Sequence, residues 1–234
     1  MTISFFLTFH DKIHPERRLS DTERAFVVGV VRATPDLAGA VVHTPASAKD
    51  PYLDDGPSPQ LVLQLHFAEI TLLERVLRPG GHLHALATPS ALPSLVSAEV
   101  TQQAMLARAF AVPDPTFRTP AGSLACSYLV GYPGPAADLN AWQHHYLASH
   151  VPVMARFPGI RRIEVHTRID WIGFLPWPRA NLMLRNRVVF DDSTGLAASL
   201  ASPVRDEMRA DYRQFPSFEG DSTHYPLESL ELRP

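Results

Sequence analysis

Leu61-Val62-Leu63-Gln64-Leu65-His66-Phe67 stands 123 residues ahead of Leu184-Arg185-Asn186-Arg187-Val188-Val189-Phe190. Both begin on leucine, end on phenylalanine and are rich in strand formers. The same offset brings Thr2-Ile3-Ser4-Phe5-Phe6-Leu7 onto Ala125-Cys126-Ser127-Tyr128-Leu129-Val130. It also brings Pro35-Asp36-Leu37 onto Pro158-Gly159-Ile160, and Val42-His43-Thr44 onto Val165-His166-Thr167. One constant offset across four blocks marks an internal repeat. After Leu77 and Leu200 the halves are expected to diverge in length.

Each half reads as the same series of elements. Thr2–Phe9 is a strand, and Ser20 or Asp21 caps a helix carrying Phe26, Val27, Val30 and Val31. Leu37–Thr44 and Gln60–Phe67 are strands on either side of a Pro- and Gly-rich loop, Pro45–Pro59. A helix over Glu69–Leu77 stops at Arg78-Pro79-Gly80-Gly81, and His82–Ala87 is expected as the fourth strand. The second half offers strands Ser123–Val130, Ile160–Arg168, Asn181–Phe190 and Thr223–Leu232, with helices Asp138–Phe157 and Ser193–Phe215. Leu92–Ala111 reads as a linker helix and Pro113–Pro120 as a proline-punctuated connection.

The order β-α-β-β-α-β is that of a ferredoxin-like unit. One such unit leaves one sheet face bare, and two in one chain can cover each other. The expected fold class is α+β. Two tandem ferredoxin-like units form an intramolecular pseudo-dimeric α+β barrel. The expected division is 1–90 as a degenerate unit, 91–122 as linker and 123–234 as the second unit.

Composition sets the outer bounds. The 234 residues are 45% hydrophobic and 19% charged, which is globular rather than disordered. The formal net charge of −3 does not call for nucleic acid or an anionic membrane surface. No apolar run reaches about 18 residues, so no membrane-spanning helix is expected. MTISFFLTFHDK lacks the build of a signal peptide. Cys126 alone precludes an internal disulfide and fits a cytoplasmic setting.

The unusual chemistry lies in Asn140–Gly159. Trp142, Tyr146, His150, Val153 and Phe157 make one helical stripe facing the sheet. Pro152 has no N–H and crowds Ala148, so the helix should kink or restart beside His150. Two roles are open to His150: general acid/base, or a core histidine bonded to a freed carbonyl. Tyr146 either orients a substrate or packs with its hydroxyl bonded. No acid lies one turn from His150 on its own face, so burial should hold its pKa at or below the ordinary value unless an acid pairs with it. His144 and His145 read as solvated, and His43 and His166 as structural. No helical His-x₃-His pair or carboxylate cluster suggests a metal, and no glycine-rich phosphate loop suggests a nucleotide.

Tyr146-x-x-x-His150-x-Pro152 followed by Phe157-Pro158-Gly159-Ile160-Arg161-Arg162 resembles the signature of the EthD family, part of the dimeric α+β barrel superfamily. Val188-Val189-Phe190 and Ala201-Ser202-Pro203 extend the resemblance, which covers roughly residues 123–232. The first half departs from it, with Glu23, Val27 and Gly29 at the positions of Tyr146, His150 and Pro152. The resemblance implies a barrel with a small apolar pocket near the histidine. It implies no settled reaction. The wider superfamily includes lactone isomerases, polyketide cyclases, cofactor-free monooxygenases and haem-degrading enzymes.

The expected function is acid/base chemistry of isomerase, cyclase or lyase type on a small apolar carbonyl or aromatic ligand, with no cofactor. His150 and Tyr146 would be catalytic. Trp142, Phe157, Trp171 and Trp177 would bind substrate, the last two on an apolar loop that lids the pocket, contacts another subunit in a homo-oligomer, or contacts the linker helix. The alternatives are a non-catalytic binding or accessory protein, and a cofactor-free or haem-linked oxygenase with His150 as axial ligand.

Overall fold

A computed structural model describes residues 2–88 and 90–233. Met1, Pro89 and Pro234, which fall within the expected domain ranges, lie outside the described residues. In the first half, strands β1 (Thr2–His10), β2 (Gly39–Pro45), β3 (Leu61–Phe67) and β4 (Glu99–Phe110) accompany helices α1 (Asp21–Arg32) and α2 (Ile70–Leu77). In the second half, β5 (Ala125–Tyr132), β6 (Ile160–Arg168), β7 (Leu184–Phe190) and β8 (Thr223–Leu232) accompany α3 (Leu139–His145), α4 (Val151–Met154), α5 (Ser193–Leu200) and α6 (Val204–Tyr212).

The eight strands close into one antiparallel barrel in the order β1-β3-β2-β8-β5-β7-β6-β4. The seams join the halves edge to edge. Ala40–Pro45 pairs with Leu227–Leu232, and Met105–Phe110 pairs with Ile163–Arg168. The sheets therefore do more than stack face to face. Closure removes the unpaired strand edges that stacking alone would leave.

Alternation along each strand makes three apolar regions. Phe5, Leu7, Leu63 and Leu65 pack outward under the first half's helices. Tyr132, Val165, Val188 and Phe190 do the same in the second half. Phe6, Val62, Met105, Leu129 and Leu227 point into the lumen. His43 and His166 are fully buried and join this interior through Ser229 and Gln64.

Two expected elements are corrected. His82–Ala87 is a 3₁₀ helix, not a strand. Leu83 and Leu86 are its buried residues, and their spacing of three suits a three-residue turn rather than a pleat. The helix expected over Leu92–Ala111 is instead a short 3₁₀ turn (Pro93–Leu95) followed by β4. Thr101-Gln-Gln-Ala-Met-Leu-Ala-Arg108 has good helix formers. Pairing with β1 over nine residues and with β6 over six overrides that local preference. With β4 in place the 123-residue offset continues past Leu77 and Leu200. It relates α2 to α5 and β4 to β8. The helix expected over Ser193–Phe215 breaks at Ala201–Pro203 into α5 and α6.

Candidate functional site

Asp138 caps α3 by accepting from the Ala141 N–H at 2.9 Å. Tyr146–His150 then forms a π turn, and α-helix resumes at Val151. The Val151 N–H reaches the Tyr146 carbonyl, five residues back. Pro152 explains the change: it cannot donate, and its ring would press on the Ala148 carbonyl, so the helix widens just before it. This widened turn sets the direction of His150.

The His150 ring is 4% exposed. Its Nδ1 lies 2.7 Å from Oδ2 of Asp211, on the buried face of α6. His145 Nε2 approaches the other oxygen of the same carboxylate at 3.2 Å. Burial holds the His150 pKa down to about 4, with Asp211 pulling the other way. At neutral pH the imidazole is therefore uncharged. Nδ1–H donates to Asp211, which leaves the lone pair on Nε2. Among the described residues Nε2 has no hydrogen-bond partner, and the ring lines a cavity.

That cavity holds about 530 Å³ and lies between the outer face of the second half's sheet and its helices. Val130, Met154, Phe157, Val188, Leu200 and Met208 supply its apolar wall. Asn186 of β7 stands among them, and Arg205 and Arg209 of α6, with Arg213 just after it, add positive charge. The β2–β3 loop of the first half completes the wall with Leu53 and Asp55. Asp55 accepts from the His224 ring at 2.8 Å. Asp50 accepts from the Tyr128 hydroxyl and lies 3.5 Å from the Arg205 guanidinium.

The structure separates the six expected site residues. His150 and Phe157 line the cavity. Tyr146 does not: it is fully buried, and its hydroxyl accepts from Nδ2 of Asn186. Burial pushes its pKa above the ordinary value, against the hydrogen bonds of Asn186 and Tyr132. Trp142 stacks behind Tyr146 at 5.4 Å and is also fully buried. Trp171 and Trp177 pack on Phe5 and Phe9 in the first half's core. Their loop is anchored there, with Phe174 N–H donating to the Leu77 carbonyl and Ile172 N–H to Glu74. It is no lid for the His150 cavity. Trp171 and Leu175 are buried in the first half's core, while Ile172 and Phe174 stay exposed. Glu23, at the position of Tyr146, closes the α1 capping box and bonds Ser94. Val27, at the position of His150, is core.

Sequence reading missed Asp211, Asn186, His145 and the Asp50–Asp55 loop. Asp211 had a local signal. It follows Met208 by three on the apolar stripe of α6, where a carboxylate needs a partner. Asn186 had the corresponding signal, as a polar residue on the outward phase of β7 between Leu184 and Val188. The loop had none, because its contacts cross between halves.

Among the described residues, no group of three or more His, Cys, Asp and Glu side chains is arranged to hold a metal ion. No helix among them is long and apolar enough to cross a membrane.

No family model matches the chain, and no curated protein matches it. Solved structures do. An anthrone oxidase-like protein superposes with a TM-score of 0.61 at 12% identity, over 99% of this chain and 92% of that one. A candidate monooxygenase from Fusobacterium nucleatum gives 0.60 at 8% identity, over 98% and 92%. An EthD family protein from Bacillus halodurans gives 0.34 at 19% identity, over 43% and 97%, a score too low to carry an argument. The shared feature is the fold, a mixed α/β chain with a closed eight-stranded antiparallel barrel. Identities at this level show the fold alone.

Proposed function

We propose that the chain is an enzyme in which His150 removes a proton from a small, largely apolar carbonyl or aromatic compound. One observation carries the proposal: Nδ1 of His150 is held by Asp211 while the same ring lines an apolar cavity. A base needs a bare lone pair at the substrate and a partner for the cation it becomes. Nε2 supplies the first and the Asp211 carboxylate the second. The proton leaves a substrate C–H or O–H for Nε2, and the electron pair stays on the substrate as an enolate or phenolate. Asn186 and the α6 arginines are the nearby groups that would steady this charge. Tyr146 acts as a positioning residue, through its bond to Asn186. Return of the proton at a second atom gives an isomerisation; attack of the enolate carbon on a second carbonyl of the same molecule, with the proton passing to the new alkoxide, gives a cyclisation, and neither needs a cofactor.

The EthD-like motif agrees with this reading, as does the reading of the halves as two tandem ferredoxin-like units. On that reading the division becomes two units joined near residues 111–124, with no linker helix. The cytoplasm is the proposed setting, from the single buried Cys126.

A second reading begins with the same step. Two of the full-length fold relatives have oxygen-chemistry names, an anthrone oxidase-like protein and a candidate monooxygenase. A substrate carbanion formed at His150 would then be oxidised by dioxygen.

The test uses a panel of small aromatic ketones, phenols and anthrones in D₂O. Proton NMR follows exchange of the acidic hydrogen and an electrode follows oxygen uptake. Exchange or turnover that falls about 10²–10⁴-fold in His150→Gln, with ligand affinity largely kept, supports the proposal. Oxygen uptake selects the second reading. Ligand binding with neither exchange nor turnover leaves a binding protein. A Soret band in the purified protein would replace both with a haem-linked oxygenase.

A further inference from the structure

Two arginines point into the barrel lumen from β7, two residues apart, and they are treated differently. Arg187 is fully satisfied. Its Nε donates to Ser127 at 2.9 Å, and its two terminal nitrogens meet Glu164 at 3.4 Å and Glu231 at 3.0 Å. Arg185 is 8% exposed and, among the described residues, makes no hydrogen bond and no ion pair. Its Nη1 is buried without a partner. The guanidinium lies over the Phe6 ring at 4.5 Å, which partly offsets the charge but supplies no acceptor. A buried guanidinium has five donors and cannot shed its proton at neutral pH, so leaving it unpaired is costly.

Arg185 borders a second cavity, of about 50 Å³, at one end of the lumen. Thr8, Thr223 and Tyr225 bring hydroxyl groups to it, His10 lines it with Nε2 bonded to the Pro57 carbonyl, and among the described residues no carboxylate lines it. Gly131 also lines it, and a Cβ there would crowd the Thr223 hydroxyl at 3.2 Å and Leu182 at 3.1 Å. The site is separate from the His150 cavity. Asn186, the next residue, lines that cavity from the other face of the sheet.

We infer that this end of the barrel binds a small inorganic monoanion, of halide or nitrate size, on Arg185 with help from the Thr8, Thr223 and Tyr225 hydroxyls. The chemistry is a fixed cation with convergent neutral donors and no competing acid. The volume suits an ion a little larger than a water molecule and is too small for a phosphate ester or an aromatic acid.

The test is thermal melting of the full chain at constant ionic strength as chloride or nitrate replaces gluconate. Binding to the folded state alone raises the melting temperature saturably, by about 2–5 °C at ten times Kd, while sulfate does not. In Arg185→Met the dependence is lost, and the melting point in gluconate stays level or rises, because an unpaired buried charge has gone. Thr223→Val, which keeps Arg185, moves the dependence to several-fold higher anion concentration. This second variant decides the matter if Arg185→Met fails to fold. The inference is overturned if wild type shows no saturable rise, which would mean that water satisfies Arg185. It is equally overturned if the variants that fold respond as wild type does, which would place the anions on surface arginines.

Discussion

His150 and Asp211 are 61 residues apart in the chain and 2.7 Å apart in the fold. The contact turns an isolated buried imidazole into an oriented one. Nδ1 is occupied, so the tautomer is set, and the carboxylate can stabilise the imidazolium once Nε2 takes a proton.

Asp211→Asn should therefore lower turnover about 10–10³-fold while preserving the cavity. An amide can present its NH₂ to Nδ1 and move the ring proton to Nε2. Long-range ¹⁵N–¹H correlation spectra should show His150 protonated at Nδ1 in wild type, and the other tautomer appearing in the variant. An unchanged tautomer with unchanged turnover would remove Asp211 from the site.

Acid should destabilise the protein partly through His150. Its folded pKa of about 4 lies below the ordinary 6.5, so the unfolded chain takes up the proton first. Its contribution is complete above pH 6.5 and is lost as pH falls through 4, by about 3 kcal/mol. Urea titrations across this window should give a steeper loss for wild type than for His150→Gln. Equal slopes would mean that His150 titrates normally and is not the buried neutral base described above.

Trp171→Ala should destabilise the fold by about 3–5 kcal/mol, since it empties space against Phe5 in the first half's core. Ligand affinity at the His150 cavity should stay within twofold, as measured by calorimetry. A large loss of affinity in a folded variant would restore a lid role to this loop.

The β2–β3 loop should open when Asp50 is removed. Asp50→Ala leaves the Tyr128 hydroxyl and the Arg205 guanidinium without their acceptor. Limited proteolysis within residues 46–59 should speed up several-fold, and ligand release should quicken with little change in chemistry. An unchanged cleavage rate would show that the Asp55–His224 contact holds the loop by itself.

The chain alone determined the constant 123-residue offset, the identity of most strands and helices, and the position of His150 beside Pro152. Those features are local or periodic. Leu61–Phe67 and Leu184–Phe190 carry their strand character in seven residues each, and Pro152 disturbs the helix beside His150 wherever that helix packs. Tertiary structure decided what these segments meet. Glu99–Phe110 becomes a strand because β1 and β6 flank it, against its own helical leaning. Trp171 and Trp177 face the first half because their loop is anchored at Glu74 and Leu77. Tyr146 is turned from the cavity by Asn186, and His150 receives its partner from a helix 61 residues on. A pairing between distant residues has no local energy to mark it. It exists only once helices and sheet pack together, and that is where His150 meets Asp211.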